Sequence, residues 1–535
     1  MTRFKSWGTD SRLNLFVLAL VPKQEQFGSS FDAERGVEVK RPTLISFWLL
    51  FLSISPLSGQ QPKAGAVSFE PYSLKTYDQR EHPAELGKLW VPENRSKSNG
   101  RLIQLGFVRL KSTAANPQTP IVFLAGGPGV PGIGMARVPI YFTLFERLQT
   151  IADVILLDQR GTGLSTPNLQ CPTALPADMW ETREKASQAL TGLVRSCAEH
   201  WSAQGVDVPA YNTNASADDL EDLRRALGVQ RLSLLGHSYG TSLALAAIRR
   251  HGEHLNRVVL ASVQGPDQDL KLPVVAEFGL KRLARFVSED PSVNKEIPDL
   301  ISALSQAFAR LERQPAEVPF TEASTGNTTN LRVGKFALQL LVDTRMKDGR
   351  SVTLLPALIF TASQGDYAML GAMVKRLHEG FGNTSLMQFP MTCSDGASAE
   401  RHAVAERQAS RTLLGNPADL ALDPKLCVAV GSPDLGQEFR TPVWSPVATL
   451  FLSGSMDSDT PPSNAEEVRW GFPNSTHIIV ENGFHETLPA GQVQDIVVDF
   501  FSGLDMSGRR VVFERPQFLS SEQAKAQISK PSGRQ

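Results

Sequence analysis

Ser238 stands at the centre of Gly236-His237-Ser238-Tyr239-Gly240, between an apolar run at 232–235 and an Ala- and Leu-rich stretch at 241–250. The first reads as a short buried strand, the second as a helix ending near Gly252. A serine in a sharp strand-to-helix turn is held in strained backbone, and the flanking glycines let strand and helix approach closely. Its side chain then sits at a helix N-terminus, where developing negative charge is favoured. The chemistry such a serine offers is nucleophilic attack on a carbonyl. The competing reading is a Gly-rich turn of any α/β protein.

A serine nucleophile needs a base, and the base needs an acid to orient it. Two acids, Asp457 and Asp459, follow an apolar run at 447–452 in Gly454-Ser455-Met456-Asp457-Ser458-Asp459-Thr460-Pro461-Pro462, and by chemistry alone they compete. His485 ends Glu481-Asn482-Gly483-Phe484-His485, just after a strand-like run at 476–480. Other histidines are weaker candidates. His237 lies inside the turn, with its side chain expected to point away. His477 begins a strand and reads as a neutral surface residue, and His251 and His254 flank a helix end. An oxyanion needs N–H donors. Ala125-Gly126-Gly127-Pro128-Gly129, after a buried strand at 121–124, is a loop with little side chain and much accessible backbone. The N–H groups of Gly127 and of Tyr239, the residue after the serine, are the expected donors.

The elements that must position these residues alternate strand and helix. Residues 88–92 and 101–110 read as an outer antiparallel pair, 154–157 as a buried strand, 216–227 as a helix capped by Ser216, and 257–261 as the next strand. Asp158 and Arg160, in the loop after 154–157, are expected to tie that loop together by hydrogen bonds. Glycines cluster after three of the strands, which places a site at the carboxyl ends of a doubly wound, mostly parallel sheet.

Three motifs in this order, GGPG at 126–129, DQRGTGLS at 158–165 and GHSYG at 236–240, resemble the α/β-hydrolase peptidases. The nearest by motif are the prolyl aminopeptidases and the tripeptidyl-aminopeptidase-like enzymes. The likeness spans roughly 85–265 and resumes at 445–503. It implies an α/β-hydrolase fold with a catalytic Ser238, Asp457 and His485. The family's acid lies in a Gly-x-x-Asp-x-x-Thr-Pro-Pro loop, a position that Asp457 fills and Asp459 does not.

The expected layout is an N-terminal extension at 1–59, a first core segment at 60–265, a cap insertion at 266–444, a second core segment at 445–505 and a polar C-terminal tail at 506–535, disordered over 520–535. Helix-like periodicity marks 274–287, 299–313, 333–342, 357–377 and 400–413 of the insertion. The resemblance implies that the cap lies over the serine and that acidic side chains bind a peptide's free amino end. Asp267, Asp269, Glu277 and Asp395 are candidates, with Asp395 first. The sequence has Ala125 where prolyl-specific members carry histidine, and Tyr239 as the tripeptidyl-like members do, which favours a broader or longer N-terminal specificity.

Net charge is −1 over 535 residues, so no basic field argues for nucleic acid. No metal constellation or phosphate loop is present, and no cofactor is expected. Lys40 and Arg41 precede an apolar stretch at 44–54 and small residues up to Gly59, the layout of a signal peptide at about 37–59. Export to the periplasm or medium is therefore expected, with no stable membrane insertion after cleavage. Four cysteines without CxxC spacing agree with this, and the sequence-local pairing is Cys171–Cys197 and Cys393–Cys427. The leading expectation is an exported serine aminopeptidase acting on peptides with a free N-terminus. An esterase or lactone hydrolase with the same triad and a non-catalytic hydrolase-like binding protein are the alternatives.

Overall fold

The computed structural model describes residues 63–171, 175–322, 326–381 and 385–529. The expected signal peptide lies outside them. The strands are β1 (Val67–Lys75), β2 (Glu81–Pro92), β3 (Leu102–Leu110), β4 (Gln118–Leu124), β5 (Ala152–Leu157), β6 (Leu232–His237), β7 (Leu255–Ala261), β8 (Ala316–Thr321), β9 (Thr328–Val333), β10 (Ala448–Gly454), β11 (Ser475–Glu481) and β12 (Val511–Val512). Ten form one sheet, in the order β1-β2-β3-β5-β4-β6-β7-β10-β11-β12. The first three run antiparallel to their neighbours. Every pair from β5 to β12 is parallel. This is the expected mostly parallel sheet, with the expected antiparallel pair, β2 and β3, near one edge.

The apolar runs of the central strands are explained by burial on both faces. Successive side chains point to opposite sides of a strand. Ile121, Phe123, Val154, Leu156 and Leu235 accordingly join one core layer, with Phe142 and Phe145 of helix Pro139–Gln149 and Val493 and Val497 of helix Gly491–Phe501. Val122, Leu124, Ile155, Leu157 and Leu234 join the other, with Leu243 and Ala247 of helix Tyr239–His251. The sheet edge that carries the site is thus fixed from both sides.

The insertion between β7 and β10 is largely helical: Pro273–Glu289, Leu300–Arg313, Lys335–Met346, Leu355–Ser363, Ala368–Phe381 and Ala399–Ala409 are its longer helices. Helix Leu300–Arg313 buries Leu300, Ala303, Leu304, Ala307, Phe308 and Leu311, the three- and four-residue spacing of one apolar face. Asp299 caps it, accepting the Ser302 N–H at 3.0 Å.

Several elements differ from expectation. The stretch 357–377 is two helices, because Gly365 at φ +85° ends the first. The insertion contains the unexpected hairpin β8–β9, in which six-residue β8 buries Ala316, Val318 and Phe320 in alternation while the first three residues of β9 are exposed. β1 was not expected, since most of its residues are exposed and show no apolar alternation. The helix at 216–227 begins earlier, at Thr213. Asn212 caps it by accepting the Ala215 N–H at 3.0 Å, and Ser216 is buried inside the first turns. The C-terminal segment is not an unstructured tail over its described length. β12 pairs with β11, and helix Ser521–Ser529 buries Ala524 and Ile528.

Both expected disulfides are present. Cys171–Cys197 has a Cα–Cα distance of 5.6 Å and anchors the segment after the 158–165 loop to helix Arg183–Ala203. Cys393–Cys427, at 5.3 Å, staples the last part of the cap. Each closes a loop of a few tens of residues, which restricts the unfolded chain by about 3 kcal/mol. Among the described residues no helix is long and apolar enough to cross a membrane.

Candidate active site

Ser238 lies between the end of β6 and the start of helix Tyr239–His251, with φ +55° and ψ −125°. Few non-glycine residues adopt such a conformation, and it is held here by its surroundings. The Ser238 N–H donates to the Ala261 carbonyl at 2.9 Å, and the Thr241 hydroxyl donates to the Ser238 carbonyl at 2.6 Å. A Cβ on Gly240 would fall 2.0 Å from the Leu124 carbonyl oxygen, so only glycine lets the helix pack onto β4. A Cβ on Gly126 would fall 2.9 Å from Ser238 Cβ, which puts the 126–129 loop directly against the serine. In that loop Gly127 runs at φ +112°. Tyr239 is the first helical residue, so its N–H has no acceptor within the helix.

In the loop after β11, His485 Nδ1 lies 2.9 Å from Asp457 Oδ2. Asp457 is fully buried, and its Oδ1 accepts the N–H groups of Asp459 at 2.8 Å and Thr460 at 2.9 Å. The Thr460 hydroxyl donates to Asp457 Oδ2 at 2.7 Å and lies 3.1 Å from His485 Nδ1. Burial acts to raise the Asp457 pKa, but the His485 contact outweighs it and the carboxyl titrates below its ordinary value. Burial likewise acts to lower His485, and Asp457 outweighs it in the opposite direction. The two surviving acid candidates of the sequence are thereby separated. Asp457 faces the histidine, and Asp459 turns to Lys347 Nζ at 2.9 Å.

The other histidines fall out as follows. His251 and His254 pair with Asp218 and Glu221 on the helix surface. His477 is not a surface residue: only 3 % of its side chain is exposed, between Glu466 at 2.6 Å and the Ser453 hydroxyl at 3.0 Å. His237 was expected to point away from the site. Its buried ring instead packs 5.3 Å from the His485 ring, with Nε2 3.5 Å from Glu486 Oε2. Burial drives its pKa down to about 3, so it is a neutral ring. His237, His485 and Glu486 bring potential metal-ligand atoms within 4.8 Å of one another, but His485 already commits Nδ1 to Asp457.

Of the four cap acids, two are structural. Asp267 accepts the N–H and hydroxyl of Ser398, the N-cap of helix Ala399–Ala409, both at 2.7 Å, and Glu277 accepts the Leu413 N–H at 3.1 Å. Asp395 and Asp269 remain, and both act electrostatically on the side chain of Tyr239. The Tyr239 hydroxyl sits 2.8 Å from that of Thr213. Among the described residues, Asp395 Oδ1 and Asp269 Oδ2 are buried and accept no hydrogen bond of ordinary geometry. Burial pushes Asp269 up to about 6 and Asp395 well above the ordinary carboxylate range, with Asp269 adding to the latter. Asp158 and Arg160 keep the structural role expected of them. Asp158 accepts the Ile133 and Leu164 N–H groups, and Arg160 binds Asp219 and the carbonyls of Glu93 and Ala210.

Sequence reasoning missed the bridging role of Thr460, although its place three residues after Asp457 suits a side chain folding back on that carboxylate. It also missed Ser262, at φ +56°, whose hydroxyl donates to the His485 carbonyl at 2.5 Å. Lys347 carried no local signal at all.

Curated relatives match over part of the chain. Tripeptidyl aminopeptidase from Streptomyces coelicolor is 30% identical over 199 residues, 35% of this chain and 36% of that protein. Serine protease Hip1 from Mycobacterium tuberculosis is 27% identical over 200 residues, 36% of this chain and 38% of that protein. The probable proline iminopeptidase of Leptolyngbya boryana is 27% identical over 151 residues, 28% of this chain and 33% of that protein. The matches thus span about a third of these relatives' length. The family model described as the alpha/beta hydrolase fold matches residues 119–491, a stretch that runs from β4 past His485 and contains the whole site. With that match and this sheet, the chain belongs to the alpha/beta hydrolase fold family.

Proposed function

We propose that this protein is an exported serine aminopeptidase, releasing an N-terminal proline or a short di- or tripeptide unit through an acyl-enzyme. In this reading Ser238 Oγ attacks the carbonyl of a peptide bond near the substrate's N-terminus as His485 takes its proton. Asp457 holds the tautomer and orientation of His485 and stabilises the imidazolium. The N–H groups of Gly127 and Tyr239 receive the oxyanion; one such donor is typically worth ~10²–10³ in rate. His485 then returns the proton to the leaving amine, and water, activated by the same base, releases the acyl group.

The observation that carries the aminopeptidase reading is the pair Asp395 and Asp269 beside Tyr239, each with a buried oxygen that lacks a hydrogen bond of ordinary geometry among the described residues, although the hydroxyls of Thr213 and Thr392 lie near them. An uncompensated buried carboxylate is costly. A substrate ammonium between them would supply the missing donors and draw both into the charged form. Relatives named as peptidases favour the same reading. Export is favoured by the two disulfides, and N-terminal sequencing of the mature protein tests it.

N-acetylation of a good peptide substrate tests the main point. It should nearly abolish cleavage by the wild type, and Asp395→Asn should lower kcat/KM for the free peptide by ~10-fold or more, on the scale of a lost charge-assisted contact. Equal cleavage of free and acetylated peptides would sink the aminopeptidase reading in favour of an esterase or endopeptidase.

A further inference from the structure

Lys347 closes the C-terminal end of cap helix Lys335–Met346 and contacts both His485 and Asp459, the carboxylate two residues after Asp457. Its carbonyl accepts the His485 N–H at 3.0 Å. Its ammonium lies 2.9 Å from Asp459 Oδ1 and 3.4 Å from Asp343 Oδ2. Asp459 in turn donates its N–H to Asp457 Oδ1 at 2.8 Å. Two residues beyond Lys347, a Cβ on Gly349 would fall 2.9 Å from the ring of Phe484, the residue before His485. The end of one cap helix therefore bears on the loop of the acid through charge and on the loop of the base through backbone.

On the reading that Asp457 and His485 serve Ser238, we propose that Lys347 is a positioning residue that neutralises Asp459, so that His485 answers to Asp457 alone, and that ties the cap to both loops. A second carboxylate two residues from Asp457 would otherwise over-stabilise the imidazolium and leave the base protonated at neutral pH. Burial acts against the Lys347 charge, but Asp343 and Asp459 outweigh it and keep the ammonium charged. Lys271 also acts on Asp459 through its charge, but burial holds its pKa below the ordinary lysine value, and it makes no direct contact with Asp459. Among the described residues, the other charged or titratable groups acting on the pair are Arg282, which faces Asp457, and His237 with Glu486 behind His485. His237 is neutral and Glu486 holds its proton up to about 8, so neither substitutes for Lys347.

The test is the pH dependence of Ser238 phosphonylation by a fluorophosphonate, which reads the base without any demand on the substrate's amine. Lys347→Met should move the acid limb up by about half a pH unit or more, a rate about threefold lower at a fixed pH on that limb, while Lys347→Arg leaves it in place. Asp459→Asn should move the limb down, and the double variant K347M/D459N should return it towards the wild type. A residue that only supports the fold would lower the plateau and leave the limb where it is. A folded Lys347→Met protein with an unmoved limb overturns the proposal. If Lys347→Met does not fold, an unmoved limb in Asp459→Asn overturns it instead. Failure of the probe to label Ser238 in the wild type would reject the triad reading itself, a result distinct from either.

Discussion

Asp457 and Asp459 are two residues apart in one loop, yet the first touches His485 at 2.9 Å and the second touches Lys347 at 2.9 Å. The loop turns back on itself between them. Both the Asp459 and Thr460 N–H groups donate to Asp457 Oδ1, which aims Oδ2 at the imidazole and leaves the Asp459 side chain on the cap side. Two chemically identical groups thus acquire different roles from the direction in which each points.

Asp457→Asn should lower the acylation rate by ~10³–10⁴, by analogy with a triad whose acid fixes the histidine tautomer. The acid limb of kcat/KM should also move. His485 is raised above its ordinary 6.5 chiefly against burial and by Asp457, so the wild type gains activity as pH rises through a value above 6.5, and Asp457→Asn shifts that limb down. Asp459→Asn should keep most of the plateau rate. Steady-state kinetics across pH check the ranking, and the opposite order would show that the acids are exchanged.

Ser238→Ala should abolish turnover and labelling by a fluorophosphonate, with the thermal transition little changed because the hydroxyl is only partly buried. Intact-mass measurement of the labelled protein, followed by peptide mapping, locates the adduct. An adduct that persists in the variant would place the nucleophile elsewhere.

Glu486 makes stability depend on pH. Its Oε2 is buried and accepts no hydrogen bond among the described residues, and burial pushes its pKa up to about 8 from an ordinary 4.5. The folded chain therefore holds a proton that the unfolded chain releases near 4.5. This group's contribution is fully present below 4.5 and is lost as pH rises towards about 8. Glu486→Gln fixes the uncharged form. Its stability relative to wild type should improve by ~1–3 kcal/mol between about pH 5 and pH 8.5, allowing for relaxation and water entry. Parallel denaturation curves at the two pH values would refute this.

The sequence by itself determined the parts of this protein that depend on near neighbours in the chain. The buried strands at 121–124, 154–157 and 232–235 are apolar because both faces are covered, and β6, the serine turn and its helix follow from glycines whose Cβ atoms would collide with backbone. The pairings of Cys171 with Cys197 and Cys393 with Cys427 join residues that short loops can bring together. Among the elements that went unread are the exposed strand β1, the short hairpin β8–β9 and helix Ser521–Ser529, and also the helices Pro139–Gln149, Arg183–Ala203 and Gly491–Phe501. Only the tertiary structure decided between chemically equal groups. It set Asp457 against His485 and Asp459 against Lys347, and left Asp395 and Asp269 beside Tyr239 while Asp267 and Glu277 went to structural bonds. It also brought His237 behind His485. Side-chain direction and the approach of segments more than a hundred residues apart, as with Lys347 and His485, are fixed by packing across the whole sheet and cap, and no spacing within a motif records them.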